Sequence, residues 1–393
     1  MMLSSDLEII DLDVQILDGK VIKAKSSGNR LRGFEKAFIG KNANNFFEIL
    51  PRILATCSQS HIYSYTKPFS DKNESIRRLL IMLEIIESHI KHPYAYWFPN
   101  LTRDTIYDFP SGEKFRKVAY YAKKIKEIMD KIGGKWPHVE YLRSNRRVSF
   151  DKNQLNEVRR FFENEIIGMP IEDFLSVSSI EEIEESKGDA AKLVSWGKEA
   201  LFWNSGLKRY LVVGFPFESN ADVASFEDHG LSITYKGLPV EVGPLAQALT
   251  FDNLIRKYHD RYGPSPLLRE LSRLKIISKL ISMIEDIDIE SEKFNSFDGN
   301  FESYVESIRG SLIHYFSIKN NIIESYRIVQ PTTIISTPNG ALENIVLGLQ
   351  ISDIKDPKEL ALAVSSLDTC FITNIRIIKD NNVIYTKRIG GFC

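Results

Sequence analysis

The sequence is poor in the features that most quickly place a protein. Three cysteines occur among 393 residues, Cys57, Cys370 and Cys393. They are odd in number and too scattered for a local disulfide framework, so thiol or metal chemistry is the better expectation. No run reaches the roughly 18 to 20 uninterrupted apolar residues that a membrane span needs. The opening MMLSSDLEIIDLD has no basic stretch leading into an apolar one. These absences predict a soluble, cytoplasmic chain with no direct membrane insertion. Neither sign of charge is in excess, with 51 basic against 52 acidic residues and a formal charge of -1, which argues against bulk attraction to nucleic acid. A glycine-rich phosphate loop, an HExxH helix, a GxSxG elbow and a CxxC pair are all missing, which removes most common enzyme signatures. No repeat, low-complexity stretch or Pro/Ser/Gly linker divides the chain, so one domain over residues 1–393 is expected.

What is present is an ordinary globular composition, 43% hydrophobic and 26% charged, with ample length for a full core. Residues 7–26 alternate apolar and polar positions around Asp18-Gly19, predicting a β-hairpin. Helical spacing runs from Ser75 to His92 and from Gly112 to Ile132, where Gly133-Gly134 ends it. Asn153 to Ile167 reads as helix, and Leu267 to Ile287 has the broad apolar face of a bundle helix. The segments RYLVVGFPF and LSITYKGLPVEV read as strands, and the C-terminus returns to β in CFITNIRIIKDNNVIYTKRI. The acidic run at 178–189 reads as a solvated helix face or insertion. The expected fold is α+β: a β-rich part over 1–70, a helical middle over 71–330 with a central long-helix bundle, and a β-containing part over 331–393.

The chemistry is spread over six short segments: Arg32 to Glu35, Pro51 to His61, Leu238 to Ala246, Glu306 to His314, Pro331 to Thr333, and Leu367 to Cys370. Cys57 and His61 stand four residues apart, which on a helix puts a thiol and an imidazole on one face. A buried thiol beside a satisfied histidine gives the same spacing.

Taken in order, these segments resemble the large subunit of nickel-iron hydrogenases, a family that includes a related subunit of respiratory complex I. Arg32 to Glu35 resembles Arg-Gly-x-Glu, and Pro51 to His61 resembles Arg-Ile-Cys-Gly-x-Cys-x-x-x-His. Pro239 to Ala246 resembles Glu-Val-Gly-Pro-Leu-Ala. Glu306 to His314 resembles Glu-Ala-Pro-Arg-Gly-x-Leu-x-His. Pro331 to Thr333 and Asp368 to Cys370 resemble Pro-Thr-Thr-Trp and the start of Asp-Pro-Cys-x-x-Cys. In that family four thiolates, two from each terminal motif, hold nickel bridged to an iron bearing carbon monoxide and cyanide. The resemblance puts Cys57 and Cys370 at two of the four positions and Leu54 and Thr373 at the others. Arg309, Leu312, Pro331 and Thr332 match the residues around the diatomic ligands, where a guanidinium and a hydroxyl suit an anionic cyanide. Glu35 matches the proton-passing glutamate. Arg376 stands where catalytic members place a histidine, and strand-like sequence continues to Cys393, which implies no metal-dependent trimming.

Three functions follow from the resemblance. In the first, the chain holds or delivers the iron-carbonyl-cyanide unit during hydrogenase maturation, with maturation proteins as partners and metal contacts from Cys57, Cys370 and, less centrally, His61. In the second it is a catalytic subunit beside an iron-sulfur small subunit, with altered nickel and iron coordination, Glu35 and Arg309 serving catalysis. In the third it is a metal-free structural subunit of a redox complex. Two bland alternatives for Cys57 and Cys370 are a disulfide tying the chain ends together and packing as small hydrophobes, and Cys393 is expected to be an incidental thiol.

Overall fold

The alternation around Asp18-Gly19 does produce the opening hairpin, with both turn residues at positive φ. The structure is a computed structural model that describes residues 9–27, 33–70, 74–143, 148–230, 232–291 and 294–390. Arg32 and Cys393, like the first residues of the expected hairpin, lie outside these. The described strands are β1 (Ile9–Leu17), β2 (Lys20–Ser27), β3 (Phe226–Asp228), β4 (Ile233–Tyr235), β5 (Gly299–Ser307), β6 (Gly310–Lys319), β7 (Ile322–Val329), β8 (Ile372–Lys379) and β9 (Asn382–Ile389). The helices used below are α1 (Phe46–Ile53), α2 (Ser58–Thr66), α3 (Ser75–His92), α4 (Glu113–Gly133), α5 (Asn153–Phe161), α6 (Pro244–Leu249), α7 (Pro266–Glu285), α8 (Pro331–Ile335) and α9 (Lys358–Leu367).

Helix α3 has the expected bounds, and α4 ends where Gly134 adopts a φ of 85°. The helical reading of 153–167 divides into α5 and a π-helical turn, Phe162–Ile167. Helix α7 starts on Ser265, whose side chain accepts from Leu268 N, with Pro266 in the first turn. It is enclosed along most of its length, burying even Arg269, Glu270, Arg273 and Lys275. Each charge has a partner: Glu241 for Arg269, Glu270 for Arg273 and Asp252 for Lys275, as buried charges require. Helices α3, α4, α6 and α9 pack around this region. In the acidic run, Glu181 and Glu185 are exposed as expected, whereas Asp189 is buried and accepts hydrogen bonds from Tyr94 and Tyr107. Among the described residues no helix is long and apolar enough to cross a membrane.

Two corrections concern the middle of the chain. Residues 71–330 are not simply helical, because β5-β6-β7 form an antiparallel sheet that carries the Glu306 to His314 segment. RYLVVGFPF is not a ladder strand either. It makes one bridge, Tyr210 with Glu241, beside which two of its amides are satisfied by side chains, Val212 N by Asn220 Oδ1 and Val213 N by Glu306 Oε1.

The chain ends meet in one sheet of order β2-β1-β8-β9, with β1 parallel to β8. Arg376 on β8 clamps this pairing through Asp13 at 2.6 and 2.9 Å and Asp11 at 3.0 Å. A second apolar cluster joins the inner face of this sheet to α8 and α9, beside the larger core around α3 and α7. The β1–β8 pairing thereby brings the segment before β8, which carries Cys370, back toward the N-terminal half.

Candidate metal centre

Cys57 is the N-cap residue of α2, and the His61 amide donates to the Cys57 carbonyl at 3.1 Å. This first turn places thiol and imidazole on one helix face, as the four-residue spacing requires. Helix α2 lies against β5 and β6, so its buried face meets the Glu306 to His314 hairpin. Two motif glycines set that hairpin's turn. A Cβ on Gly310 would lie 2.5 Å from Gly243 N, and one on Gly243 would lie 3.0 Å from Arg309 O. The Val242-Gly243-Pro244 and Arg309-Gly310 backbones thus approach as closely as glycine permits.

Cys57, His61, Arg309, Leu312, Pro331, Thr332 and Cys370 line a single cavity of about 80 Å³. Leu54 and Gln330 complete the part of the wall relevant to the chemistry. Cys57 and Cys370 are not joined by a disulfide, so the alternative of a bridge between the chain ends is not adopted. Arg309 Nη1 lies 3.5 Å from Cys57 Sγ and Nη2 lies 3.3 Å from Asp368 Oδ1. The guanidinium is fully buried and bridges the two terminal motifs. Burial alone would raise the Asp368 carboxyl, but Arg309, aided by His92 and Arg273, holds it down to about 2. Arg309 does not pair with Glu306, the acid of its own segment. Glu306 instead accepts from Val213 N, Gln247 and Ser311, and burial lifts its carboxyl to about 7.

Thr332, at the start of α8, accepts from Cys370 N at 3.0 Å, which leaves its hydroxyl hydrogen to donate elsewhere. Glu35 is buried but is not among the cavity residues; it accepts from Ile328 N at 3.3 Å. Thr373 also stays out of the cavity, with its hydroxyl 2.9 Å from Thr369 Oγ1. His61 turns Nδ1 toward His314 Nε2 at 2.9 Å, and His314 Nδ1 meets Tyr326 Oη at 2.8 Å. Burial pushes the His61 imidazole down to about 3 and His314 well below its usual value, so both are neutral. Among the described residues no three His, Cys, Asp or Glu side chains are gathered to hold a metal ion by themselves.

One buried acid beside the site escaped the sequence reading. Glu84 receives Ser58 Oγ, Gln59 N, and both Ser60 N and Oγ, capping α2 immediately after Cys57. Burial raises its carboxyl to about 7 against the lowering effect of those bonds. It also faces a separate hollow of about 460 Å³ on another side of the 55–58 turn. The available signal was a single acid inside the apolar run LLIMLEII.

Comparison with known proteins points to one class, the large subunits of hydrogenases. Residues 268–375 match the nickel-dependent hydrogenase family profile. The periplasmic NiFeSe hydrogenase large subunit of Desulfomicrobium baculatum is 22% identical over 91% of this chain and 90% of its own. The sulfhydrogenase 2 subunit alpha of Pyrococcus furiosus is 22% identical over 95% of this chain and 94% of its own. The crystal structure of the Desulfomicrobium baculatum Ni-Fe-Se hydrogenase shares the fold with a TM-score of 0.66 at 19% identity, covering 90% of this chain and 94% of that one. Over most of its length the chain is thus similar to the large subunits of nickel-dependent hydrogenases, and it shares their fold.

Proposed function

We propose that this chain is a hydrogenase large-subunit-like carrier that holds an iron-carbonyl-cyanide unit in the cytoplasm and hands it on during hydrogenase maturation. The observation that carries this reading is the shared cavity: Cys57 and Cys370 line it together with Arg309, Leu312, Pro331 and Thr332, while Leu54 and Thr373 occupy the family's other two thiol positions. The donor set fits such a unit. Two soft thiols from opposite chain ends suit iron. The buried Arg309 guanidinium and the Thr332 hydroxyl suit an anionic cyanide, and Leu312 and Pro331 give carbon monoxide an apolar wall. When bound, the unit would bring a preassembled low-valent iron centre ready for transfer. This chain's residues ligate it, balance its charge and exclude water. Two thiols give poor support to a nickel-iron pair, and Glu35 faces Ile328 N rather than the cavity, so the carrier reading is preferred over a catalytic subunit beside an iron-sulfur partner.

The test is infrared spectroscopy with iron and nickel quantitation on anaerobically purified protein co-expressed with its maturation partners. The carrier reading expects carbonyl and cyanide bands, iron, little nickel, and loss of all of them in Cys57→Ser or Cys370→Ser. Bands with both metals would establish the catalytic reading instead. No bands and no metal after verified maturation would leave a metal-free structural subunit.

A further inference from the structure

Three hydrogen-bonding groups run in line from the cavity into an aromatic layer: His61 on α2, His314 on β6 and Tyr326 on β7. His314 and Tyr326 belong to adjacent strands and face α2 from the same side of the sheet, beside Phe316. The Tyr326 ring lies 5.3 Å from each of Phe38, Phe46 and Phe316. Apart from His314 Nδ1, its hydroxyl has no hydrogen-bond partner among the described residues.

That surrounding decides the direction of the whole chain. A buried phenol O–H left without an acceptor is costly, so Tyr326 must donate, and His314 Nδ1 must accept. A neutral imidazole that accepts at Nδ1 carries its hydrogen at Nε2. His314 therefore donates from Nε2 to His61 Nδ1, and His61 by the same rule carries its hydrogen at Nε2. His61 Nε2 is the ring nitrogen left over on a side chain that lines the cavity. We infer that Tyr326 and His314 are positioning residues that set His61 as a hydrogen-bond donor to the cavity rather than a metal ligand. The acceptor in the cavity is an anionic sulfur or, on the carrier reading, an anionic ligand of the bound iron; the direction of the chain itself does not depend on that reading. The opposite setting would give His61 a lone pair at Nε2 and would make it a third ligand beside the two thiols.

Two-bond proton–nitrogen correlation spectra of the full chain labelled with 15N-histidine read these tautomers directly, without metal. Signals are assigned by their disappearance in His61→Gln and His314→Gln. The expected result is a protonated Nε2 and a bare Nδ1 on both rings. Tyr326→Phe removes the donor that sets the direction, and the His61 and His314 signals are expected to move toward tautomer averaging while the other five histidines stay in place. A bare Nε2 on His61 in the unsubstituted protein would overturn the inference, as would an unchanged His61 tautomer in a folded Tyr326→Phe variant. Should Tyr326→Phe fail to fold, the tautomers of the unsubstituted protein still decide the question. Iron loading is measured separately, so a failure of the carrier reading and a failure of this inference give different results.

Discussion

Arg309 and Asp368 form an ion pair inside the protein, Nη2 to Oδ1 at 3.3 Å, with side-chain exposures of 0% and 5%. The pair joins the turn between β5 and β6 to the residue just before the Thr369-Cys370 segment, so it ties one wall of the cavity to the other. Replacing Asp368 by Asn removes the carboxylate that faces a buried cation. The expected cost is about 3 kcal/mol, the low end for breaking a buried pair from one side, measured by urea unfolding. The acid limb supplies a second check. The folded carboxyl is depressed from 3.8 to about 2, so its contribution is present above pH ~4 and is lost as pH falls through about 2. Unsubstituted protein should lose stability more steeply across that window than Asp368→Asn.

Glu84 and Glu306 act in the opposite sense. Both are raised from 4.5 to about 7 by burial, so the folded state holds more protons than the unfolded state between those values. Their contribution is fully present below pH ~4.5 and is lost as pH rises through about 7. Each shift corresponds to about 3 kcal/mol at most. Denaturation midpoints should therefore fall from pH 5 to pH 8, and Glu84→Gln should flatten part of that slope. A slope equal to that of the unsubstituted protein would show that Glu84 stays ionised throughout.

The contact between Gly310 and Gly243 leaves no room for a side chain. Gly310 also has a φ of 117°, so Gly310→Ala combines backbone strain with a clash against backbone. We expect a loss of roughly 2 to 4 kcal/mol, read by thermal melting. Gly237, at a φ of 72° with nothing within 4 Å of an added Cβ, is the control: Gly237→Ala should cost only about 1 kcal/mol.

Of Leu54 and Thr373, the two positions that the resemblance sets against cysteine, only Leu54 should strengthen metal binding when given a thiol. Leu54 lines the cavity, whereas Thr373 is bonded to Thr369 outside it. Leu54→Cys should tighten cobalt(II) binding roughly tenfold or more, about 1.4 kcal/mol, with stronger thiolate-to-metal absorption. Thr373→Cys alone should leave the titration unchanged. Equal gains from both would mean that β8 can turn Thr373 toward the cavity.

Much of this was legible before any coordinates. The Asp18-Gly19 hairpin, α3, α4 and α7 follow from local periodicity and punctuation, because turn chemistry and amphipathic spacing act over a few residues. The β5-β6-β7 sheet was hidden for a definite reason. The sheet is enclosed on both faces there, with Ser303, Ser307 and His314 buried on one and Glu306 and Ser311 on the other, so the alternation of apolar with polar residues that marks a strand is blurred where the chemistry is. RYLVVGFPF shows the converse error, since β-rich composition attracts a strand assignment although the segment makes a single bridge and two of its amides bond to side chains.

The sequence by itself determined which thiols this protein has and that Cys57 and His61 share a helix face. These are matters of residue identity or of a single helical turn. Tertiary structure alone decided that Cys57 and Cys370 share a cavity, that Arg309 pairs with Asp368 rather than Glu306, and that His61 is backed by His314 and Tyr326. Each of these joins segments far apart in the chain. The pairing of β1 with β8 and the packing of α2 on the β5-β6 hairpin bring them together, and no local pattern encodes which distant partner a buried charge or ring nitrogen will meet.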